Sequence, residues 1–168
     1  RARLMFWGVD RNVAAATGSK YGLPHVEKIV FQDHGAHFNG QLDEEPDWEE
    51  FQDSLHGWFD GYDAAAIVEI NAMKDNAAIE KKAKQMIQET MDIPVVCGHE
   101  LFSDLNSVQR GASTLLNARL IPVIADFLKA VKRVLKQKGI QVPIVIVRSD
   151  GSLMNEEFTA IRPVETLL

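Results

Sequence analysis

Ala64-Ala65-Ala66-Ile67-Val68-Glu69-Ile70 is the stretch on which the fold class turns. It is short and nearly all apolar, the pattern of a strand covered on both faces by helices. The residues after it agree. Asp75 or Asn76 offers a helix cap, and Ile79, Ala83, Met86 and Ile87 recur on one face beside Lys81, Lys82 and Lys84. Ile93-Pro94-Val95-Val96-Cys97 then reads as a second buried strand. Strand, helix and strand in that order predict a βαβ unit, hence an α/β fold with a mixed or partly parallel sheet and flanking helices.

Upstream, Ile29-Val30-Phe31 predicts a short strand entering a turn or hairpin over Asp33-His34-Gly35-Ala36-His37-Phe38-Asn39-Gly40. Gly35 and Gly40 there suggest a backbone that turns sharply or approaches something closely. Pro46 suits a first helical turn, and Trp48, Phe51, Leu55, Trp58 and Phe59 share the face of a helix ending near Gly61. Downstream, Leu116, Leu120, Val123, Phe127, Val131 and Val134 keep helical spacing in a long helix from Ala112 to Lys138, stopped by Gly139. Pro122 lacks an amide proton and clashes one turn back, so a kink or break is expected around Ala118 and Arg119. Ile144-Val145-Ile146-Val147 predicts a third strand of the sheet. It would deliver Arg148-Ser149-Asp150-Gly151 to the carboxyl end, where open α/β sheets gather ligands.

Composition excludes several classes. With 168 residues and no repeat or Pro/Gly/Ser-rich linker, residues 1–168 are expected to form a single α/β unit. Lys and Arg number 18 against 24 for Asp and Glu, a net charge of -6 and the wrong balance for neutralising phosphates along a nucleic acid. A chain 46% hydrophobic and 25% charged folds around a core. No apolar run approaches the roughly 20 residues that a membrane-spanning helix needs. Arg1 to Trp7 is basic then apolar, but Asp10 and Arg11 follow at once, unlike a signal peptide. Cys97 is the one cysteine, so no internal disulfide forms and the cytoplasm is the expected compartment. A chain opening on Arg1 and closing on Thr166-Leu167-Leu168 is expected to be an excerpt of a longer protein.

Few motifs carry chemistry. Ser149-Asp150-Gly151-Ser152 combines a strand end, a carboxylate that could meet a metal–phosphate or a water, and a turn glycine, the best active-site pattern here; a plain Asp-Gly turn is the favoured explanation. His34 and His37 form an H-x-x-H pair in a turn, without the Cys or His partners a structural metal needs, so no metal is expected. Cys97-Gly98-His99 sets a thiol two residues from an imidazole, a spacing that rarely makes a nucleophile and base, and a buried inert cysteine is the plainer reading. Arg110 and Asn117 could reach an interdomain cleft or be helix-bonded. Lys129, Lys132, Arg133, Lys136 and Lys138 complement a helix C-terminus. The G-x-S-x-G, G-x-x-x-x-G-K-[ST] and G-x-G-x-x-G signatures are absent from the sequence.

Several strings taken in order resemble the hydantoinase/5-oxoprolinase family. Gly98-His99-Glu100-Leu101, Gln109-Arg110 and Leu116-Asn117-Ala118 are similar to its H-E-L…R…L-N-A order. Arg148-Ser149-Asp150-Gly151-Ser152-Leu153 and Pro163-Val164-Glu165-Thr166-Leu167-Leu168 look like its S-D-G…P-V-x-T-L-L, and Gly40 with Leu42-Asp43 is loosely similar to G…L-D. The resemblance implies a ribonuclease-H-like lobe of the actin-like ATPase architecture. It also implies ATP-driven opening of a cyclic amide such as 5-oxoproline or a hydantoin, with Mg²⁺ and a second subunit. Acetone and acetophenone carboxylases resemble the same group.

Departures matter too. The family's D-x-G-G-T phosphate hairpin and its later S-G-P-A loop have no match here, so no ATP site is expected within these residues. Asn76-Ala77-Ala78-Ile79-Glu80 is similar to N-P-x-H-E but lacks the Pro and His. Asp150 with Gly151 is the expected cleft residue, orienting water or Mg²⁺, and His37 a weaker candidate. The rival expectation is a non-catalytic module that docks a partner through excess exposed aromatics on the Trp48–Phe59 helix.

Overall fold

The computed structural model describes residues 1–42, 44–103 and 105–167, so Asp43 and Leu168 of the motifs above lie outside the described residues. The chain packs as two compact units, Arg1–Ala118 and Arg119–Leu168. The expected single unit is thus divided inside a helix, where no shift in composition marks a boundary.

The first unit is built on strands β1 (Ala2–Trp7), β2 (Val30–Gln32), β3 (Ala64–Glu69) and β4 (Val95–Cys97). They form one all-parallel sheet in the order β2-β1-β3-β4. Helices α1 (Arg11–Thr17), α2 (Trp48–Phe59) and α3 (Ala78–Met91) link successive strands. The short α4 (Gly98–Leu101) and the long α5 (Ser107–Gln137) follow β4. β3 is buried at every position, as its apolar run predicted. β1 is the strand that the sequence reading missed: a basic-then-apolar N-terminus was weighed only as a leader, whereas it lies centrally, paired with both β2 and β3.

Period-two alternation sorts the strand side chains onto two faces. Met5, Trp7, Ala65, Ile67, Val95 and Cys97 pack with Phe51, Leu55 and Phe59 of α2 and Ile79, Ala83 and Ile87 of α3. Each large side chain buried there contributes about 1.5–3 kcal/mol. Leu4 and Phe6 face the other way, towards Gly111 of α5, where an added Cβ would lie 2.3 Å from the Phe6 ring.

Several expectations need correction. The segment 33–40 is no hairpin: β2 pairs in parallel with β1, and Phe38 is 70% exposed, because no returning strand covers it. Pro46 lies before the first turn of α2 rather than in it, and Asp47 caps the helix, accepting from the N–H groups of Glu49 and Glu50. Neither Asp75 nor Asn76 caps α3; the turn before it is made by left-handed Asn76 and Ala77, at φ 60° and 55°. α5 starts at Ser107 and runs through Pro122 without a break, and the boundary between the two units falls at Ala118 and Arg119, one turn before that proline. The aromatic helix does not present the exposed face that the docking module required. Phe51 and Phe59 are buried, and Trp48 and Trp58 stack into Trp7 and Phe51 with ring centroids 5.5–5.6 Å apart.

The second unit holds the later part of α5, an antiparallel hairpin of β5 (Val145–Val147) and β6 (Leu153–Asn155), and helix α6 (Glu156–Ile161). Contrary to expectation, β5 belongs to this separate two-stranded sheet rather than to the parallel one. A β-rich run of four residues signals a strand but not its partner. The basic stretch of α5 is anchored by Lys132 on Glu156 at 2.9 Å.

Candidate functional site

In a sheet of order β2-β1-β3-β4 the connections leaving β1 and β3 diverge, which makes the carboxyl ends of those two strands the expected ligand crevice. The chain fills this place with its own loop. A Cβ on Gly35 would lie 2.8 Å from Gly8 Cα and 3.2 Å from Ile70 Cγ2, so only glycine permits the contact. Ala36 beside it is held at both backbone groups: its N–H donates to Glu69 Oε1 at 2.7 Å, and its carbonyl accepts from Asn71 Nδ2 at 2.7 Å. The close approach expected of Gly35 is therefore met by Gly8. That of Gly40 is met by the Lys74 carbonyl, 2.5 Å from where a Cβ would sit, at a φ of 85°.

Glu69, which ends β3, is fully buried. Desolvation raises its carboxyl to about 7; the Ala36 N–H and Arg110 pull it down, while Asp75 and Glu80 push it further up. Glu80, on the first turn of α3, is also fully buried. Its Oε1 accepts from the Glu69 N–H at 2.8 Å, and its Oε2 accepts from the His99 N–H at 3.1 Å and lies 2.5 Å from His99 Nδ1. The carboxylate thereby joins β3, α3 and the β4–α4 turn. Arg110 closes the arrangement from α5, its Nη2 donating to the carbonyls of Glu69 at 2.5 Å and Ile70 at 3.1 Å. Burial also raises Asp75 above the usual carboxylate range.

Of the residues singled out in the sequence, Arg110 belongs to this cluster. Asn117 is buried on α5. His37 is exposed in a turn, its N–H donating to the Gln41 carbonyl at 2.8 Å. Ser149, Asp150 and Gly151 form the exposed tip of the β5–β6 hairpin in the other unit. Asp150 Oδ1 accepts from the Ser152 N–H at 2.9 Å and the Ser152 hydroxyl at 2.6 Å, which lowers its carboxyl; Gly151 takes the turn's positive φ, 83°. The Cys97 thiol is buried, pushed well above its usual range by desolvation, and donates to the Glu80 carbonyl at 3.4 Å. That is the geometry of an inert cysteine rather than of a nucleophile facing His99.

Glu69 and Glu80 were not identified from sequence as site residues. Two signals were available: a carboxylate ending an otherwise apolar strand, and Glu80 beside Ile79 and Ala83 on the buried side of α3. Among the described residues, Glu80, Cys97 and His99 are the group whose ligand atoms gather closely enough for a metal ion. Among the described residues, no helix is long and apolar enough to cross a membrane.

Comparison with known proteins places this geometry. Residues 110–168 match the hydantoinase/oxoprolinase family, the one that the ordered motifs resemble. An uncharacterized protein of Methanocaldococcus jannaschii is 27% identical over 103 residues, 61% of this chain and 15% of its own length. Caprolactamase subunit alpha of Pseudomonas jessenii is 29% identical over 79 residues, 46% of this chain and 11% of its own. The chain thus spans less than a sixth of the curated relatives it matches. Among solved structures, the ATP-dependent caprolactamase of Pseudomonas jessenii has the same fold over 92% of this chain and 25% of its own, at a TM-score of 0.74 and 18% identity. A nucleotide-free acetone carboxylase does so over 98% of this chain and 27% of its own, at 0.68 and 12%. The lobe that the resemblance implied is the fold shared with these enzymes.

Proposed function

We propose that this chain is part of an ATP-dependent cyclic-amide hydrolase of the hydantoinase/5-oxoprolinase type, acting in the cytoplasm with a second subunit. The observation that carries the reading is the family match over residues 110–168, the segment holding Arg110, Asn117 and the Ser149–Gly151 turn. A caprolactamase subunit among the relatives supports it, since a lactam is a cyclic amide. Unstrained amides are poor electrophiles, and phosphorylating the amide oxygen creates a leaving group that water can displace.

The triphosphate does not fit the residues at the carboxyl end of this sheet. The groups gathered there are the carboxyls of Glu69, Glu80 and Asp75, and the buried cation Arg110 is committed to two carbonyls. We therefore assign the groups that would grip the triphosphate to residues outside this chain. Within this chain, Asp150 is the proposed residue for orienting water or Mg²⁺, with Ser149 and Gly151 shaping its turn. Arg110 and Asn117 support the lobe, and His37 stands on the substrate side. Ketone carboxylation ranks second, resting on a likeness of fold to acetone carboxylase.

The test uses the polypeptide that carries this chain, purified with its partner and supplied with hydantoin, 5-oxoproline or caprolactam. ATP-coupled ring opening is the expected result; bicarbonate-dependent turnover of ketones alone would replace the reading with the carboxylase one. Asp150→Asn should depress turnover at least tenfold, and unchanged turnover removes Asp150 from the mechanism. Calorimetric titration of Mg-ATP into the 168-residue chain should show no binding.

A further inference from the structure

We propose that Glu80, Cys97 and His99 form a binding site for one zinc-class divalent cation, an assignment independent of the cyclic-amide reading. The carboxylate oxygen, the thiol sulfur and the imidazole nitrogen all lie within 4.8 Å of one another. They come from α3, β4 and α4, whose relative position is fixed by the sheet. Cys97 ends β4, which is paired with β3 through Ile67, and Glu80 is tied to β3 through the Glu69 N–H at 2.8 Å. Gly98 lets the turn bring His99 over. A Cβ there would meet Val68 Cγ2 at 3.0 Å and Glu80 Oε1 at 3.4 Å, so a larger residue would push the imidazole away from the carboxylate.

The donor set suits such an ion. Sulfur, imidazole and carboxylate ligands bind zinc at about 2.3, 2.0–2.1 and 2.0–2.2 Å, and tetrahedral angles then separate the ligand atoms by roughly 3.3–3.6 Å. His99 Nδ1 and Glu80 Oε2, now 2.5 Å apart across a proton, separate by about 1 Å when the ion replaces that proton; the thiol moves inward. Glu80 Oε1 keeps the Glu69 N–H, which orients the carboxylate as outer-shell hydrogen bonds do in metal sites. The proton balance is simple. Cys97 releases its thiol proton to solvent, and neutral His99 shifts its proton from Nδ1 to Nε2, so Nδ1 offers a lone pair. Glu80 and thiolate Cys97 together neutralise the ion's charge. With three protein ligands, the fourth position is left to water on the half-buried His99 side.

Chelator-treated chain titrated with Co(II) tests the site, because a cobalt–thiolate bond gives a near-ultraviolet charge-transfer band that aqueous or carboxylate-bound cobalt lacks. One equivalent is expected to develop the band, one of Zn(II) to abolish it, and Zn(II) to raise the melting temperature. Cys97→Ser should lose the band, and His99→Asn should weaken Zn(II) binding at least tenfold, both with unchanged far-ultraviolet circular dichroism. Absence of the band in the folded parent chain overturns the proposal. So does calorimetric Zn(II) affinity that is equal in the parent, Cys97→Ser and His99→Asn, since the ion would then sit elsewhere. Neither outcome bears on cyclic-amide hydrolysis.

Discussion

The backbone N–H of Glu69 donates to Glu80 Oε1 at 2.8 Å, while its carbonyl accepts from Arg110 at 2.5 Å. One strand-terminal residue is thus gripped at both backbone groups by buried charged side chains, one from α3 and one from α5. The same residue's carboxyl holds the Ala36 N–H of the loop that fills the crevice. Loss of any one grip is felt by the others.

Glu80→Ala removes the acceptor for two backbone N–H groups and a half-buried imidazole. Leaving such donors unpaired costs about 1–3 kcal/mol each before relaxation. The expected destabilisation is about 3–5 kcal/mol, read from the midpoint of urea unfolding at unchanged slope. Glu80→Gln keeps one amide oxygen and should cost less.

Arg110→Met leaves the Glu69 and Ile70 carbonyls without their charged donor. A loss of about 2–4 kcal/mol is expected, together with faster amide exchange over residues 69–71. Unfolding and exchange at parental rates would show that α5 does not brace β3 through this side chain.

Glycine substitutions should split by position. Gly111→Ala drives a methyl to within 2.3 Å of Phe6 Cζ and should cost about 1–3 kcal/mol, with partial recovery in the Phe6→Leu background. Gly57→Ala, in the exposed last turn of α2 with nothing within 4 Å, should instead stabilise by about 0.5–1 kcal/mol. Thermal unfolding of the three variants separates the cases.

Glu69 sets a pH dependence. Its folded carboxyl stands at about 7 against an ordinary 4.5, chiefly through desolvation. Being raised, it contributes stability that is full below 4.5 and is lost as pH rises through about 7. Unfolding measured with chelator present should therefore show stability falling across that window, and Glu69→Gln should flatten the fall. A parent chain that gains stability across the same window would contradict the assigned direction.

The apolar run 64–70 announced β3, and the aromatic spacing announced α2, because burial on both faces and a helical stripe each leave a periodic trace. The N-terminal run 2–7 carries the same kind of trace as β3, yet it is short and meets Asp10 and Arg11 at once, so it excludes a leader without announcing a strand. The polar cluster was legible only in pieces. Glu69, Glu80 and Arg110 are far apart in the chain, and a carboxylate at a strand end has no periodic signal of its own. Asp150 illustrates the opposite case: its short motif was read correctly as a turn, while the strand before it gave no hint that its partner was β6.

By itself the sequence determined the α/β class, the family resemblance over its later part and the turn chemistry at Asp150, since these depend on local spacing, propensity and ordered motifs. Only the tertiary structure decided that β1 lies centrally, that Gly8 and Gly35 meet, and that Glu69, Glu80, His99 and Arg110 share one buried network. Those relations join residues distant in sequence. They exist because charged groups shut into a core must find hydrogen-bonding partners wherever the packed elements bring them.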